Sequence, residues 1–192
     1  MSERLISRML APLKRAIGNM AARGTVVLAN SASKMQTLQV KLLADEAKAD
    51  IEHFEPYGMT ACPKEGAELV ALFFGGDRSH GVTLMVADRR YRLKGLQPGE
   101  VALYDDLGQK VHLTRGGIVV DGGGLPVTIQ NTPHVTADTP TFTMTGNLAV
   151  QGGVTVGVDV AATGDVTAGA ISLKNHLTTG VTPGGGLSGG PQ

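Results

Sequence analysis

Between Gly146 and Ile171 the chain repeats small residues in a pattern that it cannot bury by itself. Val154, Val156, Val158 and Val160 alternate with Thr155, Gly157 and Asp159. A period of two places the valines on one side of a half-buried strand. The units GNLAV, GGVTVGVDV and GDVTAGAIS recur loosely with glycine or asparagine at the corners, an irregular β-repeat rather than a strict period. After Arg115 the only charged residues are Asp121, Asp138, Asp159, Asp165 and Lys174, the only aromatic is Phe142, and most of the 27 glycines lie there. Ordering each residue costs roughly 1–2 kcal/mol of backbone entropy. A buried valine returns about 1.5–3 kcal/mol, and half the strand positions are not apolar. Such strands also leave long open edges. The remedies are a solenoid within one chain, or identical chains wound about a common axis. Valine alternation opposes disorder up to about residue 173. Winding suits glycine corners and narrow, threonine-rich strands, and it ties stability to assembly. The expected axial core is Val154, Val156, Val158, Val160, Val166 and Ile171.

The front half reads differently, holding most of the charge. Leu5, Ile6, Met9, Leu10, Leu13, Ile17 and Met20 recur at helical spacing, with Arg4, Arg8, Lys14 and Arg15 between them. Pro12 kinks this helix or starts it, and Gly18 is a plausible stop. A helix packed on a neighbouring subunit or partner fits better than a membrane-surface helix, given its short length. From Gly24 the runs GTVVLANS, MQTLQVKLLA, AELVALFFGG and HGVTLMVADRRYR predict short strands separated by turns. An OB-like barrel over residues 22–95 follows. Its candidate core is Val26, Leu28, Leu38, Val40, Leu69, Val70, Phe73, Val82, Leu84 and Val86.

Several chemistries are disfavoured. Net charge is zero at pH 7, which argues against a general nucleic-acid binder. The best nucleic-acid candidate is Arg89-Arg90-Tyr91-Arg92-Lys94, offset by Glu65, Glu68, Asp77 and Asp88; a solvated strand end or subunit contact accounts for it better. Cys62 is the single cysteine, so no intrachain disulfide or CxxC site forms. Asp77, Ser79 and His80 fall within one short loop, GGDRSHG, too close together for a nucleophile, base and orienting acid. No phosphate loop, zinc-protease or calcium-loop motif occurs. No run of about 18 apolar residues is present, so no membrane-spanning helix is expected, nor a signal peptide.

The stretch from Tyr57 to Val120, including GGDRSHG, ADRRYR and GEVALYDD, resembles the baseplate assembly or central spike proteins of Mu-like contractile-tailed phages. GDVTAGAISLKNH followed by GVTPGGGLSGGPQ resembles the family's C-terminal end. The resemblance implies a mainly β fold: a short N-terminal helix, an OB-fold barrel, then a trimeric, triple-stranded β-helix needle. The organisation it suggests is 1–21 helix, 22–95 barrel, 96–118 connecting β segment, 119–175 β-helix and 176–192 tip and glycine-rich end. It implies a homotrimer in the virion, at the tail tip, made in the host cytoplasm. Its partners would be the baseplate hub protein and the host outer membrane, with no nucleic acid and no enzymatic activity. The family's tip often carries a His-x-His pair, six imidazoles per trimer holding iron. Here His176 aligns with the first histidine and Thr178 with the second. Three chains would then supply half an octahedral set, leaving either an iron ion with other ligands or a tip without iron. Two other classes stay open: an OB-fold nucleic-acid-binding module with a flexible tail, and a trimeric fibre binding a host glycan.

Overall fold

The computed structural model describes residues 3–42, 46–175 and 184. The chain divides into two compact units, Met1–Asn131 and Thr132–Gln192. The first opens with helix α1 (Glu3–Asn19), which contains Pro12. Five strands follow: β1 (Ala21–Asn30), β2 (Thr37–Leu42), β3 (Ala47–His53), β4 (Glu68–Phe73) and β5 (Gly81–Ala87). They close into a barrel of order β1-β2-β3-β5-β4, with β4 pairing back onto β1. Every pairing is antiparallel except β3 with β5.

One long strand closes the barrel by serving two neighbours. Ala21–Thr25 of β1 pair with β4, while Gly24–Asn30 pair with β2. At the overlap, a Cβ on Gly24 would lie 2.6 Å from the Lys41 carbonyl oxygen. Only glycine allows that approach.

Alternation delivers one face of each strand to the core. Val26, Leu38, Val40, Leu42, Ile51, Leu69, Ala71 and Phe73 are buried together, with Ala67 beside them. Of the expected core, Val26, Leu38, Val40, Leu69, Phe73 and Val82 are buried. Leu28, Val70 and Leu84 are exposed instead, and Val86 is only partly covered. Bulges explain two of these exceptions. Val26 pairs with Val40 but Leu28 with Gln39, so Val27 is an extra residue that turns Leu28 outward. In β5, Met85 pairs with Val70 but Thr83 with Ala71, leaving Leu84 as the extra residue. Val70 has no bulge to blame: it is the outward residue between inward Leu69 and Ala71.

Strand β3 (AKADIEH) is absent from the strand runs expected above. The barrel's third bulge, in the pairing of β2 with β3, explains why. Leu38 pairs with Ile51 but Val40 with Lys48, and Asp50 sits in the left-handed region at φ 56°. Aspartate tolerates that conformation better than most side chains. The bulge breaks the period that a sequence reader counts, yet it aims Ile51 and His53 inward.

Phe73 is the largest fully buried side chain. Its register partner is Gly81, where a Cβ would lie 2.5 Å from the ring. The Arg78 guanidinium lies 4.8 Å from the ring centroid. Phe73→Ala is expected to destabilise the barrel by about 3–5 kcal/mol, because the cavity adds to the lost burial. A lowered denaturant midpoint checks this.

His53 is nearly buried, with no partner on Nδ1, and its backbone N–H donates to the Gln36 carbonyl at 2.8 Å. Burial pushes its pKa down, and the nearby Glu55 carboxylate opposes this. The folded chain therefore binds fewer protons than the unfolded chain below the ordinary value of 6.5. Barrel stability is expected to fall as pH drops below that value, before the carboxylates titrate. Protection factors of the 47–53 amides, corrected for the intrinsic pH dependence of exchange, should fall as pH drops from 7.5 to 5.5, and His53→Gln should flatten that response.

Candidate assembly surface

Beyond the barrel, β6 (Val101–Tyr104), β7 (Lys110–Thr114) and β8 (Gly117–Asp121) form an antiparallel sheet of order β6-β7-β8. Val101 pairs with Leu113 and Leu103 with Val111; Val111 also pairs with Val120 and Leu113 with Ile118. This register puts six apolar side chains on one face. All six are exposed, Ile118 at 71%. The opposite face carries His112, Lys110 and Asp121; Lys110 Nζ contacts Asp121 Oδ2 at 2.7 Å. The Lys110 ammonium lowers the Asp121 pKa. Glu100 holds the end of this sheet, accepting the N–H groups of Gln97 at 2.9 Å and Arg115 at 3.0 Å. Those two bonds keep its carboxyl below the usual range. Lys110 and Asp121 thus pair on the polar face, whereas all six side chains of the apolar face stay exposed.

The second unit repeats the problem along its length. From Gly123 to Asn175 every residue except Ser172 is exposed. Bends fall at 139–140, 145–146, 151–152, 157–158 and 163–164, with a turn at 169–170, a spacing of six residues throughout. The intervening segments read TFTM, NLAV, GVTV, DVAA and DVTA. Their second and fourth positions share a face. Met144, Val150 and Val156 at the fourth position are 46–50% exposed, and Phe142, Leu148, Val154 and Val160 at the second are 68–74% exposed. Val166, at the second position of DVTA, is 47% exposed, so the first four segments share one pattern and the segment entering the closing hairpin departs from it.

This period replaces the loose repeat expected above. It also removes Val158 from the valine row, because the bend at 157–158 places that residue at a corner, 89% exposed. Ile171 likewise lies in the closing hairpin of β9 (Thr167–Ala168) and β10 (Ile171–Ser172). Asp165 ties that hairpin together, accepting the N–H groups of Val166 at 2.8 Å and Lys174 at 3.1 Å. The Ser172 hydroxyl and these bonds lower the Asp165 pKa. Residues 126–165 make no backbone–backbone hydrogen bond among the described residues.

The other candidates are used locally. Ser79 donates its hydroxyl and its N–H to Asp77 Oδ1, at 2.7 and 2.8 Å, and these bonds lower the Asp77 pKa. The hydroxyl therefore bonds the acid, and the His80 ring lies against Phe74, centroids 5.2 Å apart and planes tilted by 56°. Arg89 pairs with Glu68 and Arg90 chelates Asp88, while Arg90 also donates to the Glu65 carbonyl at 2.7 Å. Lys64 and Arg90 both lie over the Tyr91 ring, at 5.4 and 5.3 Å, and Lys64 reaches Asp106 beyond β6. Arg89 and Arg90 are thus paired on the barrel side, and Lys64 links the barrel to the loop between β6 and β7. His176 and Thr178 lie outside the described residues, and so does the rest of the expected tip apart from Gly184. Among the described residues, no group of three or more His, Cys, Asp and Glu could hold a metal ion, and no helix is long and apolar enough to cross a membrane.

A closed barrel is thus followed by a run of exposed apolar positions that makes no backbone–backbone hydrogen bond among the described residues. Residues 23–90 match the family described as Bacteriophage Mu Gp45, N-terminal. The chain is 36% identical over 151 residues to the baseplate puncturing device gp45 of Escherichia phage Mu, covering 79% of this chain and 76% of that one. It is 33% identical over 179 residues to the Mu-like prophage FluMu protein gp45 of Haemophilus influenzae, covering 89% and 92%. The chain belongs to the phage Mu gp45 family.

Proposed function

We propose that this chain is the spike of a contractile phage tail, a homotrimer that punctures the host outer membrane mechanically. The observation that carries the reading is the shaft itself. Over residues 126–165 it makes no backbone–backbone hydrogen bond to a described residue and leaves its apolar residues in water. Native proteins pair nearly all buried backbone groups. Winding three copies about one axis pairs the backbone of each with its neighbours and dries the second and fourth positions of every repeat. The same symmetry covers the apolar face of β6–β8. A closed rotational assembly leaves no growing edge, as a soluble particle requires.

The puncturing role follows from stiffness and a small cross-section, because the bends carry small residues such as Gly146, Gly152 and Gly164. Contraction supplies the force, and no covalent bond is made or broken. The relative in phage Mu is named as a baseplate puncturing device. By that likeness this chain sits in the tail baseplate of a virion, joins a hub protein and meets the outer membrane. The strand order β1-β2-β3-β5-β4 with parallel β3 and β5 supports an OB-fold for the barrel. The paired state of Arg89 and Arg90 speaks against a single-strand binding groove.

At the tip, His176 would contribute one imidazole per chain to an iron ion, with Thr178 a poor fourth-to-sixth ligand. One experiment addresses both points. Light scattering should give three times the 19.8 kDa chain mass, and metal content on the same sample decides the iron. An isolated monomer with an ordered shaft at high dilution would overturn the trimer.

A further inference from the structure

Helix α1 is an interaction surface that the shaft does not explain. Its apolar stripe is Ile6, Met9, Leu10, Leu13, Ile17 and the adjacent Met20, all exposed. Of the helix residues with described burial, only Ala11 and Ala16 are less than exposed. Contact with the rest of the chain is confined to its end. The Ala16 backbone seats on Gly76, where a Cβ would lie 2.4 Å from the Ala16 carbonyl oxygen. The Phe73 N–H donates to the Met20 carbonyl at 2.8 Å. Gly76 has φ 77° and leaves open the space in which that last turn sits. A helix of this length is marginal in water on its own, so its stripe must be covered to hold it.

We propose that the stripe docks into an apolar groove rimmed by Asp and Glu on a different baseplate protein. This rests on the baseplate reading above. Charge selects the occupant. The helix sequence supplies Arg4, Arg8, Lys14 and Arg15 against the single acid Glu3. Three such helices packed on one another would bring like charges together without an acidic partner. Pro12 inside the helix and the seat of Ala16 on Gly76 further disfavour a bundle of copies. Acidic groups around an apolar groove satisfy both the stripe and the cations. A membrane surface would take the same charge, but the stripe has none of the aromatic residues that favour an interface.

The test uses assembled tails carrying the full-length chain. A zero-length carboxyl-to-amine crosslinker is expected to join Lys14 to an acidic residue of another baseplate protein. Leu13→Asp should lower incorporation into baseplates by about tenfold or more, while light scattering of the purified variant is unchanged. Arg8→Glu should weaken incorporation and reduce its sensitivity to salt. Crosslinks from Lys14 only to other copies of this chain would overturn the proposal. So would unchanged incorporation of Leu13→Asp, or full-length protein binding vesicles of phosphatidylglycerol and phosphatidylcholine through α1. If the unaltered chain is absent from tails, the baseplate reading fails rather than the helix assignment.

Discussion

Val154→Asp is expected to abolish the trimer at micromolar concentration. Val154 occupies the second position of a repeat segment, one of a column with Phe142, Leu148 and Val160. In a threefold shaft that column meets its two copies at the axis. Substitution forfeits about 1.5–3 kcal/mol of burial in each chain. It also brings three carboxylates into one dry layer, where like charges raise each other's pKa or force the layer apart. The loss is counted three times because the symmetry repeats it. Light scattering and the protease resistance of residues 132–175 report the outcome. Val158→Asp is the companion, since its residue lies at a bend, 89% exposed, outside the second and fourth positions of the segments. It should leave the trimer intact, although a plain two-residue alternation through 154–160 predicts the opposite. A stable Val154→Asp trimer would show that the second positions do not face the axis.

Deleting Gly157–Ala162, one complete repeat, should leave a trimer with a shorter shaft. Deleting only Val158–Val160 should prevent assembly. The six-residue spacing of the bends means that removal of a whole unit joins one segment to an equivalent one. Removal of an odd number of residues inverts the faces of everything downstream. The apolar positions then turn to solvent and the threonines to the axis. Small-angle scattering gives the shaft length, and light scattering the number of chains. Equal behaviour of the two deletions would refute the six-residue unit.

These two predictions depend on a period that the sequence shows only in retrospect. The alternation of Val154, Val156, Val158 and Val160 invites a continuous strand, because valine at every second residue looks the same whether or not the chain bends at 157–158. Small residues tolerate both paths, and the composition alone does not choose between them. The barrel shows a related difficulty. The strands around Val26, Leu38, Val40, Leu69 and Phe73 could be read from apolar runs. Leu28 and Leu84 could not, because Val27 and Leu84 are bulge residues whose existence depends on how neighbouring strands pair. Strand β3 escaped for the same reason, its alternation broken at Asp50.

The candidate functional residues divide along the same line. GGDRSHG and the 89–94 basic cluster are visible as motifs; close spacing argues against a triad in the first, and offsetting acids argue against a nucleic-acid groove at the second. Only the fold revealed where their hydrogen bonds go. The six-residue apolar face of β6–β8 was missed, since each strand is short and ordinary by itself. It emerges when register brings Leu103, Val111 and Val120 into line.

By itself, then, the sequence determined the division of the chain: a charged, patterned front able to bury a core, and a rear of small residues that is not. That follows from side-chain volume and charge, which are local properties summed along the chain. Tertiary structure decided which valines line a face, where the barrel bulges and which apolar surfaces stay open. Those depend on pairing between distant strands, and an extra residue in one strand reverses the faces of all that follow.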